Sequence, residues 1–282
     1  MLFSCPICQR PLLAQQASAR CCNNHCFDFA KEGYLNLLPV QKKNSIDPGD
    51  NKAMMQARRD FLNAGHYQPL ACQVSQLIQD YCVQDQATAQ PWQGLDLGCG
   101  EGYYSQFFAE QSSGKIDWHG LDISKAAIRS AAKRAKTIQF CIASAFDLPF
   151  PAHSFDIITR IYAPSSASEL ARVIKPSGHL ITVSPGPRHL FQLKQVIYQT
   201  PQLHSEQASH IEGFKRLHSQ QLAQQITLSN AQDINNLLAM TPFAYKLTET
   251  QKQALTQQPL CLDLDFKIEV FALDNSQVAT PA

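Results

Sequence analysis

Leu95-Asp96-Leu97-Gly98-Cys99-Gly100-Glu101-Gly102 reads as a short strand running into a glycine-walled loop. Three glycines at alternate positions let the backbone approach a ligand where any Cβ would clash. The spacing is G-x-G-x-G, and Tyr103 stands where a dinucleotide fingerprint has its last glycine. About twenty residues on, Trp118-His119-Gly120-Leu121-Asp122 reads as a second strand ending in an acid, placed to accept hydrogen bonds from ribose hydroxyls. Each half alone is a common feature. Together, in this order and at this separation, they point to a nucleoside-type ligand held by Gly98, Gly100, Gly102 and Asp122.

Working outward from this loop, strand and helix patterns alternate. The helix after the loop is expected over 103–110, a strand over 116–121, a helix over 125–135 and a strand over 138–143. A fourth strand follows over 155–162, then a short helix over 169–173 and a strand over 179–183. Such alternation argues for a parallel, doubly wound sheet. Residues 262–270, Leu-Asp-Leu-Asp-Phe-Lys-Ile-Glu-Val, alternate strictly and predict a strand with one wet face, added antiparallel. Upstream of the loop, helices are expected over 52–62 and 70–82, after a polar connector with a Pro48-Gly49 turn. The stretch 202–258 is Gln-rich and carries few readable motifs, and 275–282 reads as a frayed tail.

Bulk properties bound the answer loosely. The 282 residues are 44% hydrophobic, enough for one α/β domain and a small appendage, and no apolar run is long enough to span a bilayer. The first residues lack the basic-then-apolar order of a secretory signal, so a cytoplasmic protein without membrane attachment is expected. A net charge of +1 neither demands nor excludes nucleic acid.

Half of the ten cysteines, Cys5, Cys8, Cys21, Cys22 and Cys26, fall in the first 26 residues, with His25 among them. Cys5-Pro6-Ile7-Cys8 is a thiolate knuckle of the kind that folds onto one tetrahedral metal. In a reducing compartment this spacing favours Zn²⁺ over disulfides, and so short a segment has little core without a metal. Cys21 with His25, Cys22 with Cys26, or a mixture would complete the site equally well. Cys72, Cys82, Cys99, Cys141 and Cys261 read as small buried hydrophobes.

With these elements placed, the core resembles the class I S-adenosylmethionine-dependent methyltransferases. The resemblance is carried by 96–102, Gly120-Leu121-Asp122-Ile123-Ser124, Ala143-Ser144-Ala145-Phe146-Asp147-Leu148-Pro149-Phe150 and the segment 169–178. It extends further. The knuckle, Asp28-Phe29-Ala30-Lys31-Glu32-Gly33-Tyr34, Asp47-Pro48-Gly49-Asp50, Met54-Met55-Gln56-Ala57-Arg58-Arg59, Gly65-His66-Tyr67 and Pro185-Gly186-Pro187-Arg188-His189-Leu190 are similar to the bacterial 23S rRNA guanine-N1-methyltransferases of the guanine-745 type. The similarity runs to about residue 220.

That resemblance implies a Rossmann-like doubly wound sheet with an antiparallel last strand, plus an N-terminal zinc ribbon. It implies zinc on Cys5, Cys8, Cys21 and His25, and contacts from Tyr67, Gly100, Glu101 and His189 to S-adenosylmethionine. The chain would then divide into a zinc-binding, RNA-recognising module (1–38), a connector that folds back as a lid (39–70), a methyltransferase domain (71–274) and a tail (275–282). The implied partner is 23S rRNA, with a homodimer left open.

Arg160 and Tyr162, at the carboxyl end of the fourth strand, are candidates to face the guanine, Arg160 at its oxygen and Tyr162 against its ring. The general base is unassigned among Asp47, Asp50 and Asp147. Lys42, Lys43, Arg58 and Arg59 would meet RNA phosphates, whereas Lys125, Arg129, Lys133, Arg134 and Lys136 read as a solvated helix face. Two rival functions are a small-molecule methyltransferase of the quinone-precursor type and a non-catalytic RNA-binding factor. The N-terminal knuckle argues against the first, and the intact loop with Asp122 against the second.

Overall fold

The computed structural model describes residues 1–39, 51–82, 90–205 and 209–274. Asp47, Asp50, Lys42, Lys43 and the tail therefore lie outside the described residues. At the N-terminus, β1 (Leu13–Gln15), β2 (Ser18–Arg20) and β3 (Cys26–Asp28) form a small antiparallel sheet. The chain then joins the large sheet: β4 (Leu35–Asn36) pairs parallel with β7, Leu35 opposite Cys141.

The large sheet has the order β10-β11-β9-β8-β5-β6-β7-β4. β5 (Trp92–Leu97) is central, with β6 (Ile116–Asp122) and β7 (Gln139–Ile142) on one side and β8 (Phe155–Ile161) and β9 (Ile174–Pro185) on the other, all parallel. β11 (Leu260–Leu273) is antiparallel to both β9 and the edge strand β10 (Phe214–Leu228). The parallel sheet with its antiparallel β11 is the architecture the sequence resemblance implied, with strand order reversing at β5. Ligands of open α/β sheets bind outside the carboxyl ends of the strands at such a switch point.

One face of the sheet is covered by helices. α1 (Lys52–Asn63), α2 (Gln68–Cys82), α3 (Tyr103–Ser112), α4 (Lys125–Arg134), α6 (Phe191–Ile197) and α7 (Ala231–Ala239) contribute to a single core, among them Phe61, Leu70, Phe108, Ile128, Leu193 and Leu237. The other face is covered by α5 (Ala167–Val173) together with the N-terminal module, whose Phe3, Leu12 and Ala19 pack with Phe150, Phe155 and Leu170. The module thus supplies the second layer that burial of a two-sided parallel sheet requires. Phe3 lies 5.4 Å from the Phe150 ring, and the Ser4 N–H donates to the Pro149 carbonyl at 2.8 Å. Arg129 on α4 pairs with Glu32 of the module at 2.8 Å.

β10 escapes the sequence pattern because glutamine stands on both of its faces, Gln220 and Gln224 among the inward Leu222 and Ile226, Gln221 and Gln225 on the outer row, and its ladder depends on β11. α7 and the short α8 (Glu249–Thr256) lie in the same unread stretch. Among the scattered cysteines, Cys99 and Cys141 are buried as expected, but Cys72 and Cys261 are exposed. No helix among the described residues is long and apolar enough to cross a membrane.

Candidate active site and metal centre

The glycine loop is built by the end of β6. The Gly98 and Cys99 N–H groups donate to the Leu121 carbonyl at 2.8 and 3.0 Å, and the Gly100 N–H donates to Asp122 Oδ2 at 3.0 Å. All three glycines are left-handed, with φ of +75°, +55° and +86° at 98, 100 and 102. Their surroundings differ. A Cβ at Gly98 would lie 2.4 Å from the Ala163 side chain, and one at Gly102 would lie 2.9 Å from the Ala131 backbone, whereas one at Gly100 would meet, beyond its chain neighbours, no atom of the described residues within 4 Å. Gly98 and Gly102 are therefore demanded by the protein's own packing. Gly100 keeps room open.

That room is a cleft of ≈ 390 Å³ at the switch point, lined by the loop, by Asp96, Leu121, Asp122 and Ile123, by Ser144 to Phe146 and by residues of α1 and α3. Asp122 also accepts from the Ser124 N–H through Oδ1 at 2.8 Å, so its carboxylate is fixed before any ligand arrives. Asp96, which the sequence reading passed over, accepts from Ser105 Oγ (2.5 Å) and Thr159 Oγ1 (3.1 Å). Burial pushes its pKa up to about 6 against those two hydrogen bonds. Glu101 is almost fully buried and ion-paired with Arg134 at 2.8 Å. Burial raises its pKa, and the positive charges of Arg134, Arg59 and Arg58 oppose the rise. Arg134 thus departs from the solvated-face reading: it also donates to Asn63 at 2.9 Å and braces the loop from α4.

An aromatic wall closes one side. Tyr67 is buried and lines the cleft; Tyr162, 45% exposed and also lining it, stands at the mouth with Phe146, 59% exposed. Tyr162 reaches this position by leaving the strand alternation, with φ of 55°. His189 is placed behind this wall rather than in it. Its ring packs 4.9 Å from Phe266, and Nδ1 accepts from the Asp265 N–H at 3.3 Å. The proton of the neutral ring then belongs on Nε2, which points at the Tyr162 hydroxyl 3.5 Å away. Burial holds the His189 pKa down to about 4, so the ring stays neutral.

Arg160 is likewise outside the cleft lining. Thr159 and Ile161 face Asp96 and the cleft, so the two-residue period turns Arg160 to the opposite face, where Nη1 donates to Ser165 at 2.9 Å. Among the described residues, the cation that does line the cleft is Arg58, on α1. Its neighbour Arg59 donates to Ser130 at 3.0 Å. Asp147 is not part of the lining.

At the N-terminus, the ligand atoms of Cys5, Cys8, Cys21 and His25 all lie within 4.8 Å of one another. Cys8 Sγ to Cys21 Sγ is 3.6 Å, and His25 Nδ1 lies 3.5 and 3.4 Å from the sulfurs of Cys5 and Cys21. Ligands at ~2.0–2.3 Å from one tetrahedral Zn²⁺ are spaced by about 3.5–3.8 Å, so the cluster fits that ion. Two left-handed residues, Gln9 (φ 59°) and Asn24 (φ 62°), fold the knuckles, the second bringing Cys21 and His25 to one side. Cys22 and Cys26 are exposed and stand outside this cluster.

A family model described as a methyltransferase domain matches residues 92–253. The chain belongs to that family. The model for "RlmA, N-terminal", a zinc ribbon, matches residues 3–46 and so covers the cysteine cluster of this methyltransferase. Over 279 residues the chain is 27% identical to a Bacillus subtilis protein provisionally named a 23S rRNA (guanine-N(1)-)-methyltransferase, covering 95% of this chain and 96% of that one. It is 32% identical to the 23S rRNA (guanine(748)-N(1))-methyltransferase of Streptomyces fradiae, over 67% of this chain and 65% of the relative. Similarity to a demethylmenaquinone methyltransferase of Bacillus licheniformis, at 27% identity, covers only 37% of this chain.

The residues present fit S-adenosylmethionine. Gly100 leaves the space, Asp122 presents fixed acceptors, Ile123 and Phe146 supply apolar walls, and Asp96, Glu101 and Asp122 set negative charge around a cationic ligand.

Proposed function

We propose that this chain transfers a methyl group from S-adenosylmethionine to N1 of one guanine in a hairpin of 23S rRNA, at the position of the guanine-745 type. The observation that carries the reading is a match over nearly the whole chain, zinc cluster and cofactor cleft together, to a relative named for that reaction. The similarity to a quinone methyltransferase covers a much smaller share of the chain. The preference for position 745 over the 748 of the Streptomyces relative rests on the motif resemblance alone.

The bound cofactor supplies an electrophilic methyl on a sulfonium. The chain's own work is to bind it against the loop, exclude water and hold the base edge near the methyl. Phe146 and Tyr162, exposed at the mouth, are suited to flank a base swung out of its stack. Residues 1–38 would present the RNA, 39–70 would act as a lid, with α1 already forming one wall of the cleft, and 71–274 would carry the transfer. Tyr67 would touch the cofactor directly, and His189 would act through Tyr162 and Tyr67.

The test is to incubate the zinc-loaded protein with methyl-labelled S-adenosylmethionine, offering unmodified 23S rRNA and a demethylated quinone precursor in parallel. Label entering the RNA supports the reading. Label entering only the quinone would establish the small-molecule rival, and no transfer to either would leave a binding factor.

A further inference from the structure

The described walls of the cleft carry three carboxylates, Asp96, Glu101 and Asp122, and one cationic side chain, Arg58. This imbalance has a chemical counterpart. S-adenosylmethionine bears two positive groups, the sulfonium and the ammonium, and one negative group, the methionine carboxylate. The acids suit the first two and the ribose hydroxyls. Asp96 and the Arg134-paired Glu101 present no cationic side chain to that carboxylate within the cleft lining.

Arg58 is built into the wall. Met55, Arg58 and Leu62 recur at helical spacing and turn one face of α1 to the cleft. The Arg58 Nη2 donates to the Met240 carbonyl at 3.2 Å, at the end of α7, so the guanidinium is oriented by a backbone group. Arg58 lines the cleft together with Glu101, Tyr103 and Tyr104 at the start of α3; burial raises the pKa of Glu101, Tyr67 and Tyr104, and the Arg58 charge opposes each rise. Asp122, by contrast, contacts the loop at Gly100. A ligand whose ribose lies at Asp122 and whose chain crosses the loop therefore ends beside Arg58.

We propose that Arg58 binds the α-carboxylate of the cofactor's methionine moiety, a planar fork meeting a planar anion. This rests on the adenosyl-cofactor reading above and assigns to the cofactor a residue whose sequence context suggested RNA phosphate.

The test measures binding of two probes to the full, zinc-loaded chain by calorimetry: S-adenosylhomocysteine and its decarboxylated analogue, 5′-deoxy-5′-(3-aminopropylthio)adenosine. The wild-type protein should prefer the carboxylate-bearing probe by roughly 10- to 100-fold, the range of a charge-assisted hydrogen bond. In Arg58→Met that preference should collapse to within about 2-fold, with affinity for the decarboxylated probe held, and Arg58→Lys should retain part of it. Equal wild-type affinity for the two probes would overturn the assignment, as would an undiminished preference in Arg58→Met or, should that variant not fold, an Arg58→Lys preference equal to wild type. Failure of the wild-type protein to bind either nucleoside would instead refute the cofactor reading itself.

Discussion

Substituting alanine at Gly100 and at Gly102 should separate ligand space from protein packing. Both residues have positive φ, so each alanine carries a left-handed strain of about 1–2 kcal/mol. At Gly102 the new methyl also lies 2.9 Å from the Cα and Cβ of Ala131 on α4, where only backbone movement relieves the contact, adding roughly 1–3 kcal/mol. At Gly100 the added methyl meets, beyond its chain neighbours, no atom of the described residues within 4 Å, and strain is the whole cost to folding. A protein of this size loses about 2–4 °C of Tm per kcal/mol. Gly100→Ala should therefore melt roughly 2–8 °C below wild type, and Gly102→Ala roughly 4–20 °C below. Ligand affinity should rank the other way: the Gly100→Ala methyl projects into the cleft and should weaken S-adenosylhomocysteine about 10- to 100-fold by calorimetry. A Gly100→Ala protein that binds within 2-fold of wild type would refute the claim that Gly100 is reserved for the cofactor. So would a Gly100→Ala loss of stability equal to that of Gly102→Ala.

Other expectations follow from the same geometry. Because Asp96 is neutral below a folded pKa of about 6 and ionised above it, affinity for cationic S-adenosylmethionine should fall as pH drops through 6, and Asp96→Asn should abolish that step. For stability the sign is opposite: the raised pKa costs nothing below the ordinary 3.8, and the penalty grows between 3.8 and about 6 and then stays at roughly 3 kcal/mol, so Asp96→Asn should gain on wild type over that window in denaturant titrations. Chelation of zinc, or Cys8→Ser, should lower the Tm of the whole protein, since Phe3 and Leu12 share a core with Phe150 and Phe155; a melt confined to a small separate transition would contradict that packing. Phe146→Ala and Tyr162→Ala should each raise KM or lower kcat for RNA by about 10- to 100-fold while S-adenosylhomocysteine affinity stays within a few-fold, as measured by initial rates beside calorimetry.

What was legible in the sequence was what is local. The loop from Gly98 to Gly102, the acid ending β6 and the cysteine knuckles each declare themselves within a few residues, because φ > 0 and metal geometry constrain short segments. The choice between Cys21 with His25 and Cys22 with Cys26 turned on the left-handed Asn24, which spacing alone does not reveal. Side-chain direction was the first thing lost. Arg160 and Tyr162 sit two apart on one strand end, yet the period sends Arg160 away while the φ of Tyr162 brings it to the mouth. Arg58 declared itself only as a candidate for RNA phosphate, and its place in the cleft wall was not legible because α1 meets the loop only through tertiary packing. β10 escapes the sequence for a related reason: an edge strand with glutamine on both faces (Gln220 and Gln224 inward, Gln221 and Gln225 outward) has little alternation of its own, and β11 supplies its order.

The most direct test of the account is to map the methyl on 23S rRNA after reaction with the purified protein, by reverse transcription and by mass spectrometry of released nucleosides. N1 lies on the Watson–Crick edge, so N1-methylation should stop the transcriptase beside guanine 745 and yield 1-methylguanosine in amounts matching the label transferred. A methylated guanosine that lets the transcriptase pass, or label recovered on any base other than guanine, would contradict it.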